Sequence, residues 1–203
     1  MKKYTMVKII DYGIGNTGSI LNMLHYIGVK AELAITKEDF LDADKLILPG
    51  VGSFDAAMNK LNKLGFSELI IEKAESGNFI LGICLGMQIL GTESEEGSLE
   101  GLNLIPGNVI RFNQQDMLIP HMGWNKVEWK NSKVLSNELK ENKFYFVHSY
   151  YFDAKNEKHV LGNTNYGIDF NSIIANKNIF GVQFHPEKSH RYGMQLLKNF
   201  CSL

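Results

Sequence analysis

The chain has 203 residues, 44% of them hydrophobic, enough to fill one core of ordinary size and consistent with one domain spanning 1–203. With 21 basic and 22 acidic residues the net charge is −1, which argues against a nucleic-acid or membrane-surface protein. Its two cysteines, Cys84 and Cys201, lie far apart, which suggests reduced thiols in the cytosol rather than a disulfide framework.

Lys2 and Lys3 resemble the start of a secretion signal, but Lys8 and Asp11 interrupt the apolar run that would have to follow. No stretch approaches the length of a membrane span, so a cytoplasmic protein is expected. Val7–Ile10 reads as a short strand ending at Asp11. Residues 16–27 follow as a helix with Ile20, Leu21, Leu24 and Ile27 on one face, closed by Gly28. Residues 29–35 and 45–48 read as the next two strands, the latter running into the loop Pro49-Gly50-Val51-Gly52. Helices are predicted over 55–63 and 67–76, then a buried strand over 79–83 and a helix over 85–90. Strands alternating with helices imply a mainly parallel sheet covered on both faces. Beyond Glu93 the pattern becomes short β-like pieces at 108–112, 126–129, 143–147, 160–164 and 172–175, read as antiparallel strands added to the same domain. A strand over 180–184 and a helix over 192–200 close the chain. The fold class is thus α/β, with an open, mainly parallel central sheet flanked by helices and extended by antiparallel strands.

Gly13-Ile14-Gly15-Asn16-Thr17-Gly18 has the spacing of a dinucleotide-binding turn, after a strand and opening a helix. Glu32 stands at about the distance of a ribose-binding acid, but in the middle of the second strand rather than at its end. No pattern for hydride chemistry follows, so a tight strand-to-helix turn is the favoured reading.

Cys84 lies in Gly82-Ile83-Cys84-Leu85-Gly86, at the junction of a strand and a helix. This is the cysteine form of a nucleophile elbow, with glycines leaving room for a helix that starts almost on top of the strand. A thiol there faces unpaired N–H groups and the positive end of the helix, which favour thiolate. A hundred residues later the chain reads Gln183-Phe184-His185-Pro186-Glu187. Pro186 biases His185 toward extended backbone, in which positions i and i+2 point the same way. His185 and Glu187 can then act as base and orienting group for the Cys84 nucleophile. Asp11, the Pro49–Gly52 loop, Cys84 and His185 all fall at strand ends, where sites in open α/β sheets collect.

With the elbow, the Pro-Gly-Val-Gly loop and His-Pro-Glu, the chain resembles the class I glutamine amidotransferases, and more narrowly the glutaminase subunits of imidazole glycerol phosphate synthases. Further segments carry the resemblance nearly end to end: Asp11-Tyr12-Gly13-Ile14-Gly15-Asn16, Ser94-Glu95-Glu96-Gly97, Pro120-His121-Met122-Gly123-Trp124-Asn125 and His148-Ser149-Tyr150. The resemblance implies that Cys84 attacks the side-chain amide of L-glutamine, releasing ammonia, with His185 as proton shuttle and Glu187 holding its ring. It implies oxyanion donors from the backbone of Leu85 and of the loop Gly50, Val51 and Gly52. Gln88, Glu96, Ser149 and Tyr150 would bind the substrate. Asn16, His121, Met122, Trp124 and Lys188 would face a (β/α)8-barrel synthase subunit in a heterodimer, through which the ammonia reaches its acceptor. No cofactor and no metal are expected.

The chain departs from the histidine-pathway pattern at Thr17-Gly18, at Gly91-Thr92, at 166–170 and at 190–194. At 166–170 and 190–194 it is similar to a paralogous branch that supplies ammonia for sugar amidation in surface-polysaccharide synthesis. Two readings of other classes stand beside these. A stand-alone cysteine hydrolase would keep Cys84 and His185 without needing the Trp124 segment, and a silent binding protein would not need the triad.

Overall fold

A computed structural model describes residues 6–113, 117–130, 134–139 and 141–203; Lys2 and Lys3 lie outside them. The first half alternates strands and helices: β1 (Val7–Ile10), α1 (Thr17–Tyr26), β2 (Ala31–Ala34), β3 (Lys45–Gly50), α2 (Phe54–Leu64), α3 (Phe66–Glu75), β4 (Phe79–Cys84) and α4 (Leu85–Ile89). The second half is mostly strand: β5 (Glu93–Ser94), β6 (Gly107–Arg111), β7 (His121–Lys126), β8 (Glu128–Trp129), β9 (Lys143–His148), β10 (Tyr150–Ala154), β11 (Val160–Tyr166), β12 (Ile168–Asn176) and β13 (Ile179–Val182). Helix α5 (His190–Cys201) closes the chain.

The main sheet runs in the order β2-β1-β3-β4-β13-β12-β10-β6-β5, with β11 and β8 joined beside β12. From β2 to β13 every neighbour is parallel; from β12 onward the pairing turns antiparallel, apart from the short β5–β6 pair. The alternation of side chains along the strands divides the core in two. Ile10, Leu46, Leu48 and Ile80 pack with α2, α3 and α4 on one face. Val7, Ile9, Ile47, Leu81 and Ile83 pack with α1 and α5 on the other. An apolar layer on both faces is what makes the central strands read as continuous hydrophobic runs.

Several expectations shift once pairing is visible. Strand β3 continues through Pro49 and Gly50, because both lie in register with Ile83 and Cys84 of β4. The segment 121–125, rich in turn-type residues, is instead strand β7, paired antiparallel with β9 from His121 opposite His148 to Lys126 opposite Lys143. The run 126–129 is split between β7 and β8, and β10 had no counterpart in the sequence reading. The Gly13–Gly18 turn packs against the neighbouring strand end rather than opening a nucleotide site: a β-carbon on Gly15, at φ +112°, would stand 3.0 Å from the Pro49 ring. Glu32 bonds Lys8 at 2.8 Å across the β1–β2 pair, where it offers nothing to a ribose.

The β7–β9 ribbon carries a buried histidine pair. His121 Nδ1 lies 2.9 Å from His148 Nε2, and His148 Nδ1 lies 2.8 Å from the Tyr150 carbonyl. That carbonyl can only accept, so His148 carries its proton on Nδ1 and accepts from His121 through Nε2. The His121 ring is stacked against Tyr166 and Phe146 at centroid distances of 4.0 and 4.8 Å. Burial pushes the imidazole of His121 down to about 4 and that of His148 down to about 3. Both are therefore neutral in the fold, whereas the unfolded chain takes up protons as the pH drops below about 6.5. Folding stability should thus fall between about pH 6.5 and pH 4, by about 1.4 kcal/mol per pH unit for each histidine. Urea unfolding at a series of pH values measures this, and in His121→Gln the slope should be roughly halved. Equal stability at about pH 7 and pH 5 would contradict a neutral buried pair.

Candidate active site

Strand β4 delivers Cys84 to the carboxyl edge of the parallel sheet, and the chain turns at once into α4. Cys84 adopts φ +55°, ψ −112°, a conformation that costs a residue with a β-carbon on the order of 1–3 kcal/mol. The surroundings hold it there. A β-carbon on Gly82 would meet the backbone of Gly86 and Met87, and one on Gly86 would collide with the Leu48 carbonyl oxygen. The elbow predicted from the glycine spacing is present, and the close approach of α4 to β3 and β4 explains why those positions are glycine.

His185 reaches the same place from the other side of the chain. In β13, Val182 pairs with Ile83 of β4, so residues 183–185 run on beside Cys84. His185 is extended, at φ −100°, ψ 100°, and Pro186–Lys188 form a single 3-10 turn. Its pairing with Glu187 therefore arises from an extended residue followed by a tight turn, not from a continuous extended stretch. His185 Nδ1 meets Glu187 Oε1 at 2.8 Å, with both side chains 2% exposed. The other ring nitrogen, Nε2, is buried without an aligned hydrogen-bond partner among the described residues. Cys84 is its neighbour. Burial alone would depress the His185 pKa, but its neighbours Cys84 and Glu187 outweigh it and push it up to about 10. The imidazole is thus held by its far nitrogen, and beside the Cys84 sulfur it retains the proton that the thiol gives up.

The Gly50–Gly52 segment lines the same space. Tyr12 donates its hydroxyl proton to the Pro49 carbonyl at 2.8 Å, fixing the start of this segment. Gly50 packs so closely on α4 that a β-carbon would come within 2.8 Å of the Gly86 nitrogen. A cavity of about 330 Å³ opens beside Cys84, bounded by Val51, Gly52, Leu85, Gln88, Glu96, Ser149, Tyr150, His185 and Lys188, among others. That size and its mixed polar and apolar lining suit a small polar metabolite. Glu96 accepts from the Phe54 backbone N–H at 2.8 Å, and burial raises its pKa. Gln88 is buried and donates both amide hydrogens, to the Tyr150 carbonyl at 3.1 Å and to Gln183 Oε1 at 3.0 Å. Its carbonyl oxygen is the group left for a ligand.

The expected interface residues divide. Met122 and Trp124 are 62% and 40% exposed. Asn16 is exposed and caps α1 by accepting from the Ser19 N–H at 3.4 Å. Lys188 is exposed, with its ammonium 5.8 Å from the Tyr145 ring. His121 differs from them: at 2% exposure it faces inward from β7, opposite in direction to Met122. Period-two alternation, had the segment been read as a strand, would have shown this. His190, which carried no signal in the sequence, stacks flat on Trp124 at 5.6 Å with 5° between the planes. Gln183 was also missed. It is fully buried with its amide nitrogen 3.8 Å from Cys84 Sγ, and its position two residues before His185 was the available clue. No group of three or more potential metal ligands gathers among the described residues, and no helix among them is long and apolar enough to cross a membrane.

The glutamine amidotransferase class-I family profile matches residues 8–202. The chain is 47% identical to imidazole glycerol phosphate synthase subunit HisH 2 of Pseudomonas aeruginosa, over 98% of this chain and 100% of that one. To the subunit of the same name from Methanococcus maripaludis it is 48% identical, over 96% and 98% of the two chains. Among solved structures, that of PurLQS from Thermotoga maritima superposes with a TM-score of 0.77 at 18% identity, covering 98% of this chain and 99% of that one, which shows a shared fold. With a family profile over nearly its whole length and relatives this similar end to end, the chain belongs to the class I glutamine amidotransferases and, within them, to the HisH subunits of imidazole glycerol phosphate synthase.

Proposed function

We propose that this chain hydrolyses L-glutamine to glutamate and ammonia, with Cys84 as nucleophile, His185 as proton carrier and Glu187 as the group that orients it. The observation that carries this reading is His185, whose Nδ1 is held by Glu187 at 2.8 Å and whose hold on a proton is strengthened by the neighbouring Cys84. The thiol proton passes to Nε2 and the sulfur attacks the side-chain carbonyl carbon of glutamine. The backbone N–H of Leu85 and one from Gly50, Val51 or Gly52 meet the developing oxyanion, each donor contributing about 3–4 kcal/mol. Protonated His185 returns the proton to the departing amine, releasing ammonia. Water, deprotonated by the same nitrogen, then splits the thioester to glutamate and frees the sulfur. Glu96 binds the α-ammonium group of the substrate, Ser149 and Tyr150 its carboxylate end, and Gln88 the amide through its free carbonyl oxygen.

The ammonia goes to a (β/α)8-barrel synthase subunit in a heterodimer, serving histidine biosynthesis. The subunit names of the relatives support this acceptor over sugar amidation. The exposed Trp124 and Met122, with Lys188 beside the cavity, suit the docking face. A burial-prone aromatic left at 40% exposure fits an anchor residue, and a lone cysteine hydrolase has no need of one.

Cys84→Ala should lower glutamine turnover by about 10⁴-fold or more while leaving the fold and partner binding intact. Glu187→Gln should be milder than His185→Asn, because it misorients the base rather than removing it. Substantial turnover in the alanine variant would overturn the assignment. Glutamine turnover by the chain alone should be slow and rise on addition of the barrel subunit, and Trp124→Ala should weaken that association by about 2 kcal/mol. A titration calorimeter and a coupled glutamate assay measure both; full activity without any partner would favour the stand-alone hydrolase. The gene should also restore growth without histidine in a strain lacking its own glutaminase subunit. Failure there, together with an altered surface glycan on deletion, would move the acceptor to sugar amidation.

A further inference from the structure

Gln183 is an amide side chain with 0% exposure, one residue past the end of β13. A buried amide in such a place needs partners for its polar atoms. It has them, and they fix which way it points. Gln88 donates to the Tyr150 carbonyl at 3.1 Å, and that carbonyl cannot donate, so the nitrogen of Gln88 is its facing atom. Its second N–H is directed at Gln183 at 3.0 Å, which requires Gln183 to present its oxygen there. The amide nitrogen of Gln183 is thereby turned toward Cys84 Sγ, 3.8 Å away. A flipped Gln183 would oppose two donors and present an acceptor to the sulfur.

The orientation is anchored further out. The Tyr150 carbonyl that fixes Gln88 also accepts from His148, which accepts from His121, whose Nε2 lies 3.3 Å from the Asn125 amide nitrogen. One hydrogen-bond network with settled directions therefore runs from β7 to the sulfur.

We propose that Gln183 is a further catalytic residue, an N–H donor to Cys84 Sγ that stabilises the thiolate when it attacks and again when it departs from the tetrahedral intermediate of thioester hydrolysis. The sulfur acquires negative charge at both moments, once its proton is on His185 and once its bond to carbon breaks. A hydrogen bond is stronger to a charged partner than to a neutral one, so the contact favours those states over the thiol and the thioester. The inference rests on Cys84 being the nucleophile.

Two substitutions separate this role from mere packing. Gln183→Glu is nearly isosteric and still accepts from Gln88, but it turns a carboxylate rather than a donor toward the sulfur. Gln183→Leu removes the donor and leaves Gln88 with an unmatched N–H. In the full chain carrying Cys201→Ser, alkylation of Cys84 by iodoacetamide at neutral pH is followed by mass spectrometry, beside glutamine turnover with the barrel subunit. Both variants should alkylate about tenfold more slowly or worse, as expected for losing a hydrogen bond to a charged group. Gln183→Glu should be the slower, because a carboxylate beside the sulfur opposes the thiolate that alkylation requires. The fall in turnover should lie in kcat, with KM for glutamine little changed. Alkylation of either variant at the unsubstituted rate would overturn the proposal. Should either variant fail to fold, Gln183→Asn, which withdraws the amide from the sulfur, should show the same slowing in milder form, and alkylation at the unsubstituted rate would overturn the proposal equally. Alkylation needs no glutamine, so a chain that ignored glutamine yet kept these differences would reject the glutaminase reading and leave this one standing.

Discussion

Strands β4 and β13 lie side by side in parallel register, Ile179 opposite Ile80 and Val182 opposite Ile83. Parallel strands finish at the same edge of a sheet, so this one ladder brings Cys84 and residues 183–185 together across about a hundred residues of chain. Closing so long a loop has an entropic cost, which the surrounding core offsets: Leu81, Ile83, Phe180 and Val182 are all buried in one cluster. The juxtaposition of Cys84, His185 and the Gln183 amide is a consequence of that pairing. Each lies within three residues of the end of a paired strand, where backbone geometry leaves little freedom.

Burial is comparable for the site's histidines, yet its electrical outcome is opposite. His148, with only neutral groups bonded to it, is driven down to about 3. His185, equally enclosed but bonded to a carboxylate and next to a sulfur, is driven up to about 10. Desolvation penalises charge in both; only the partner decides whether the penalty is overcome. Two imidazoles in one small site are thereby separated into a neutral structural tie and the proposed proton carrier, the kind of division by environment that assigns acid and base roles elsewhere.

The strained elbow illustrates how stability is traded for geometry. Cys84 holds a positive φ that an alanine-like residue would avoid, and Gly82 and Gly86 are excluded from carrying any side chain by neighbouring backbone. Strain of this kind persists where packing over-determines it. Here the packing is the contact of α4 with β3 and β4, so the helix start and the thiol cannot relax independently. The fold itself is shared with proteins under 25% identical, such as that at a TM-score of 0.77. Function therefore lives in the side chains this scaffold presents, not in the scaffold.

Local chemistry made much of this legible from sequence. The elbow glycines, the strand–helix alternation of the first half and the His-Pro-Glu run each report on short-range sterics, which a linear reading captures. The proposed nucleophile, base and orienting acid follow from them. What lay beyond reach were features created by pairing partners. The segment 121–125 is composed of turn-prone residues and becomes a strand only because β9 offers it an edge, and with that strand comes the inward direction of His121 and the outward direction of Trp124. Gln183 reads as one more polar residue in a strand until β13 sits against β4 and the Gln88 amide forces its nitrogen toward the sulfur. Sequence alone determined which residues could react, because reactivity begins in residue type and local backbone. Tertiary structure decided which of them meet and in which direction their hydrogen bonds point, because both depend on neighbours distant in the chain.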